Sequence, residues 1–205
     1  MQQSESNVSS KQHVDEIDHA RAQEYALLAT LLSRSPDTEM IGRLALLRGD
    51  ASPLGAAHAG LGDAARGANG DDLAREFDLF VGVGSGSLLP YSSHYLAGAL
   101  YGRPLARLRE TLWHLGIEKA AGHSEPEDHA AIVCEIMAGL VDGGVAAAAG
   151  ADRDFFERHL APWIGRFFAD LEQAKSANFY ARVGTLGRTF VDVETEALSL
   201  LGSNN

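Results

Sequence analysis

Apolar residues recur along this chain at helical rather than strand spacing. Ile17, Tyr25, Leu28 and Leu32 fall on one face of a first helix, and Leu105, Leu108, Leu112 and Leu115 make a later stripe. Leu160, Ile164, Phe167 and Leu171 form another, and Phe179, Val183, Leu186, Phe190, Val193 and Ala197 the longest. Strand signals are weak: 26 leucines stand against 16 valines and isoleucines together, and no long run alternates apolar with polar. The pattern predicts an all-α, single-domain bundle of about eight to ten helices at ordinary helix and loop lengths.

Capping residues set the expected boundaries. Ser35-Pro36 offers an N-cap and a first-turn proline for a second helix running to Arg48, with Asp37 and Glu39 near its positive end. Residues 49–70, rich in alanine and glycine, read as a flexible connection with room for a short helix around Ala56–Ala65. Leu73, Phe77 and Phe80 restart a stripe before the glycine-rich stretch at 82–87. Ser92 or Ser93 caps a short helix through Tyr101, and Gly116 ends the Leu105–Leu115 helix as a left-handed cap. Ser124 and Glu127 have the spacing of a capping box, Pro126 lies in the first turn, and His129, Val133, Ile136 and Leu140 follow on one face. A disordered tail is expected over 1–13, the helical domain over 14–201 and a short tail over 202–205.

Charge then narrows the partners. With 17 basic and 28 acidic residues the net charge is −11, which repels phosphate backbones and favours a basic peptide over nucleic acid. The polar opening "MQQSESNVSSKQ" carries no apolar core of a secretory signal. Leu79–Gly102, the longest stretch without Asp, Glu, Lys or Arg, is broken by glycines and Pro90 and is no membrane span. A single cysteine, Cys134, precludes an internal disulfide and fits a reducing, cytoplasmic setting.

Catalytic and metal chemistry finds little support. Glu110/His114 and Glu125/His129 have i, i+4 spacing, but no HExxH or di-iron ExxH pair occurs. "GVGSGS" places Ser87 where a dinucleotide fingerprint needs its third glycine, and no GxSxG elbow exists. Glu125, Glu127 and Asp128 at a helix start are what the macrodipole stabilises anyway. A capping box accounts for Glu127, which leaves Asp128 beside His129, with Glu125 close by, as a candidate acidic mouth. A metal- or His-assisted hydrolase and a helical sensor of apolar ligands are the rival readings.

"EPEDH" (125–129), "HLAPWIGRFF" (159–168) and "FYARVGTLGRTF" (179–190), with "FDLFVGVGSGSLLPYSSHYL" (77–96) upstream, resemble the TorD/DmsD family of redox-enzyme maturation chaperones, which includes NarJ-type proteins. The segments keep the family's order from about Tyr25 to Leu198. The resemblance implies an all-helical, non-catalytic chaperone without a required cofactor, weak guanine-nucleotide binding in some members, and a monomer or domain-swapped dimer. Its implied partners are the twin-arginine leader and the apo-form of a molybdopterin oxidoreductase, held in the cytoplasm until the cofactor is loaded. A NarJ-like role for a non-exported molybdoenzyme is the alternative. The family's peptide-binding positions fall on Leu79, Phe80, Pro90, Tyr91, Tyr95, Asp128 and His129, with Glu125 and Pro126 beside them. Tyr91 and Tyr95 stand where some relatives place tryptophans. On this reading the Leu79–Tyr95 segment lines an apolar groove and Asp128, supported by Glu125, receives a guanidinium.

Overall fold

In the computed structural model, residues 2–78, 88–119, 125–175 and 177–202 are described, with side chains from 16 to 200. Ten α-helices occur among them: α1 (Gln2–Ser33), α2 (Thr38–Leu44), α3 (Pro53–Arg66), α4 (Gly70–Phe77), α5 (Ser92–Ala97), α6 (Arg103–His114), α7 (Ala130–Val141), α8 (Ala151–Phe155), α9 (Ile164–Glu172) and α10 (Phe179–Gly202). A single π turn, Phe156–Leu160, continues α8. No strand appears among the described residues, only an isolated antiparallel bridge between Tyr91 and His129. None of the described helices is long and apolar enough to cross a membrane.

The stripes become the core. α1 packs on α7, and α10 packs on α9 and α3. Tyr25, Leu28 and Leu32 of α1, Leu160, Ile164, Phe167 and Leu171, and Phe179, Val183, Leu186 and Phe190 of α10 are all buried. Close passage of α10 over α9 depends on Gly184 and Gly187, because a Cβ on either would fall on the Glu172 backbone or the Phe168 ring. Gly116 ends α6 at φ 67°, as its left-handed cap predicts.

Several expectations are corrected. α1 begins at Gln2, within the tail expected over 1–13, because a packed nucleus extends helix at little cost per added residue. Residues 49–70 are not a flexible connection. Ser52 accepts the Gly55 amide at 3.0 Å, Pro53 starts α3, and Ala57, Leu61 and Ala65 are buried. Gly62 makes that packing possible, since a Cβ there would lie 2.7 Å from the Leu47 carbonyl oxygen. Asp37 rather than Ser35 caps α2, which stops at Leu44. Ile17 and Val193 are exposed, and the buried α10 stripe continues through Glu194 and Leu198 instead. A charged residue at a core position hides such a stripe from an apolar count.

Candidate functional site

The segment "EPEDH" (125–129) forms a turn rather than the first turn of a helix. Ser124 lies outside the described residues, as do Leu79, Phe80 and the glycine-rich stretch. α7 starts at Ala130, with His129 as its N-cap: Nδ1 accepts the Ala131 amide at 3.1 Å. Glu127 takes no part in a cap within the described residues. Its Oε2 accepts Nε and Nη2 of Arg109 at 3.0 and 2.8 Å, tying the turn to α6. Partial burial, the largest single influence, would raise the Glu127 pKa, but the Arg109 hydrogen bond, a backbone hydrogen bond and the nearby Arg109 and Lys119 charges together hold it below the usual glutamate value.

Residues 90–93 and 128–130 interlock backbone to backbone. Ala130 N–H donates to the Pro90 carbonyl at 2.8 Å, and Ser92 N–H donates to the Asp128 carbonyl at 3.0 Å. The Asp128 side chain is fully buried. Its Oδ2 accepts the Ser93 amide at 2.8 Å and the Ser92 hydroxyl at 3.3 Å, so it caps α5 from another part of the chain. α5 has no side-chain cap of its own, because Tyr91 stands at that position. Asp128 is thus a clasp rather than an open receptor for a guanidinium, which corrects the acidic mouth expected at that residue. Its Oδ1 is buried without a hydrogen-bond partner among the described residues.

The clasp sorts the remaining predicted residues. Pro90 is buried, and Pro126 is half-buried and gives its carbonyl to the His129 amide at 3.1 Å. Tyr95 turns toward α9: its hydroxyl donates to Asp170 at 2.8 Å, its ring lies 5.7 Å from Trp163, and the Arg166 guanidinium sits 5.8 Å from its centroid. Tyr91, Glu125 and His129 do come together. Tyr91 donates to Glu125 Oε2 at 2.6 Å and meets the His129 ring edge-on at 5.1 Å. Burial first, and then the Glu125 hydrogen bond, keep the Tyr91 hydroxyl protonated well above its ordinary range. Burial pushes His129 below the usual imidazole value, outweighing Glu125 and Asp128.

These three residues line a groove of about 580 Å³ beside α1 and α7. Ala26, Ala29 and Ala138 supply a small-residue floor, and Phe77 and Ile132 an apolar wall. Two carboxylates, Glu125 and Glu135, face it, and no lysine or arginine lines it among the described residues. A second groove of about 390 Å³ runs along the other side of α7, where Leu112, Trp113, Ile117, Ile136 and Val145 are bordered by Arg109, Lys119, Glu118 and Glu127. Ile132 and Glu135 border both. Sequence reasoning missed Glu135 and Trp113. Glu135 is the only charged residue of α7, and that interruption of an apolar run was the available signal. Trp113, 76% exposed, gave none, since burial is what periodicity cannot assign to a single aromatic.

Fold and site together define an all-helical protein with two surface grooves, one lined by carboxylates and small apolar residues and one by apolar residues with a charged border. Among the described residues no three His, Cys, Asp or Glu side chains are grouped to hold a metal ion. The family model described as nitrate reductase delta subunit matches residues 47–169, and the chain belongs to that family, which takes in the TorD and NarJ proteins. It is similar to the chaperone protein TorD of Vibrio cholerae serotype O1, 31% identical over 140 residues, which are 63% of this chain and 64% of that protein. The chaperone protein TorD of Aliivibrio fischeri is 30% identical over 139 residues, 62% of this chain and 65% of its own length. That of Actinobacillus succinogenes is 30% identical over 111 residues, 53% and 56% respectively. The chain therefore matches less than two thirds of the length of these curated relatives.

Proposed function

We propose that this protein is a non-enzymatic, cytoplasmic maturation chaperone that binds the twin-arginine leader and apo-form of a redox enzyme. Family membership supports the class, and the groove chemistry supports the ligand. The observation that carries the reading is the groove beside α1 and α7: Glu125 and Glu135 face small and apolar residues, and among the described residues no lysine or arginine lines it. A leader of this kind presents paired guanidiniums followed by an apolar stretch. Carboxylates answer the first with charge-assisted hydrogen bonds. The Trp113–Ile117–Ile136 groove answers the second across the Ile132 ridge.

Magnitudes divide the labour. Burying about 500 Å² of apolar leader surface contributes roughly 12 kcal/mol before ordering costs of several kcal/mol. Each charge-assisted hydrogen bond nets only about 1.5–3 kcal/mol. The apolar groove sets most of the affinity and the carboxylates set register and choice. Tyr91 steers Glu125 through its 2.6 Å bond, and Asp128 holds Tyr91 in place from beneath.

The test is titration of a fluorescent twin-arginine leader into wild type, Glu125→Gln/Glu135→Gln and Trp113→Ala. The carboxylate variant is expected to bind about tenfold more weakly and to lose its preference for Arg-Arg over Lys-Lys leaders. Trp113→Ala is expected to weaken both leaders alike. Unchanged affinity and unchanged preference in the carboxylate variant would reject the assignment of this groove.

A further inference from the structure

On a chain of net charge −11, one surface is locally cationic. Arg103 and Arg107 of α6 and Arg158 of the π turn line a groove of about 790 Å³ between α5, α6 and that turn. Neither Arg103 nor Arg107 has a carboxylate within ion-pair distance among the described residues. Arg158 reaches Asp154 only at 3.4 Å, with both side chains two-thirds exposed, so that pair is weak and readily exchanged. Among the described residues Glu110 is the one carboxylate lining the groove. α6 also begins here: Gly102 precedes it without a capping side chain, so its first amides and macrodipole add positive potential to that of Arg103.

The groove is not shaped for a small anion. Leu96, Ala97, Pro104 and Pro162 form apolar surface between the cations. Leu100 and Tyr101, in the loop joining α5 to α6, are exposed as well. Arginines beside an exposed tyrosine are the composition of a protein-docking patch. The π turn places Arg158 there: Ala161 N–H closes it on the Phe156 carbonyl at 2.9 Å, with Phe156 and Leu160 facing the core and Arg158 facing out.

We propose that this groove docks an acidic, apolar-bearing segment of a partner protein. Its carboxylates pair with Arg103, Arg107 and Arg158, and its apolar side chains lie on Leu96, Pro104 and Pro162. Charge complementarity selects the partner: Arg103 and Arg107 have no carboxylate partner among the described residues, Arg158 is held only by the exposed Asp154, and their planar donors match carboxylates two at a time. The inference is independent of what fills the groove beside α1 and α7, which has the opposite charge.

The test uses the full chain and a fluorescein-labelled amphipathic peptide of glutamate and leucine, followed by anisotropy at low and at physiological salt. Wild type is expected to bind it, with affinity falling as salt rises, and a glutamine/leucine peptide to bind at least about tenfold more weakly. Arg103→Glu/Arg107→Glu on α6, and Arg158→Glu alone on the π turn, are each expected to weaken the glutamate peptide about tenfold. Far-ultraviolet circular dichroism of these surface variants should match wild type, and Glu125→Gln/Glu135→Gln should bind the peptide normally. Wild-type affinity in both arginine variants would overturn the proposal. So would binding of inorganic pyrophosphate in a chain that does not bind the glutamate peptide, which would make this a small-anion site.

Discussion

The carboxylate of Asp128 accepts the backbone amide of Ser93 at 2.8 Å from a position with no solvent exposure. Two segments 35 residues apart are thereby locked, and the lock is what puts Tyr91 and Glu125 on the surface. Asp128→Ala is expected to strand the Ser93 amide and cost about 1–3 kcal/mol, a fall of roughly 2–10 °C in Tm. Asp128→Asn keeps an acceptor oxygen and should cost less. Once folded, the asparagine variant should bind a twin-arginine leader within about twofold of wild type, since Asp128 acts beneath the groove. Calorimetry and peptide titration of the two variants separate the roles. A folded Asp128→Asn protein that cannot distinguish leaders would return Asp128 to the binding surface.

Glu194 gives α10 a buried acceptor that α1 satisfies. It takes Nε and Nη2 of Arg21 at 2.8 and 3.0 Å and the Tyr25 hydroxyl at 3.0 Å, while only 1% exposed. Glu194→Ala removes the main counter-charge of a largely buried guanidinium. Asp18 at 2.8 Å and Asp152 at 3.3 Å remain beside Arg21, so the loss should lie near the low end of the range for broken buried pairs, about 3 kcal/mol in urea unfolding. The double variant Arg21→Met/Glu194→Met should recover much of it.

Gly184 and Gly42 test opposite consequences of a missing side chain. Gly184→Ala drives a Cβ onto the Glu172 backbone and should cost at least about 1–3 kcal/mol by separating α10 from α9. Gly42, inside α2, has nothing within 4 Å of a Cβ. Gly42→Ala should stabilise by about 0.5–1 kcal/mol. Equal effects in denaturant titrations would contradict the close α9–α10 passage.

His58 on α3 stands 2.9 Å from Glu24 on α1, and that hydrogen bond outweighs partial desolvation to raise its pKa. Asp50 and the Leu54 carbonyl act in the same direction. A raised folded-state value means the contribution is complete below the unfolded histidine value, about 6.5, and is lost as pH rises through the folded value. His58→Gln keeps a donor but no charge. Its destabilisation, about 0.2–1 kcal/mol for a partly exposed pair, should appear near pH 6 and shrink at mildly alkaline pH. A deficit that grows with pH would reverse the assignment.

Fold class was legible because helical periodicity is a local property. Leu28, Leu108, Ile164 and Val183 were read into stripes by spacing alone, and all are buried. The 49–70 segment escaped because alanine and glycine carry almost no periodic signal, and their value lies in how closely a neighbouring backbone can approach, as at Gly62. Glu194 escaped because its burial depends on Arg21 and Tyr25, 173 and 169 residues away.

By itself the sequence determined an all-helical chain, its family resemblance, and the residue types that gather around Tyr91, Glu125 and His129. Only the tertiary structure decided which of them face outward. Asp128, Glu125 and Glu135 are chemically alike on paper. Pairing of 90–93 with 128–130 buries the first beneath the surface and leaves the other two lining a groove with no lysine or arginine among the described residues. Burial and partnership are relations between distant segments, so they are fixed by packing rather than by local pattern.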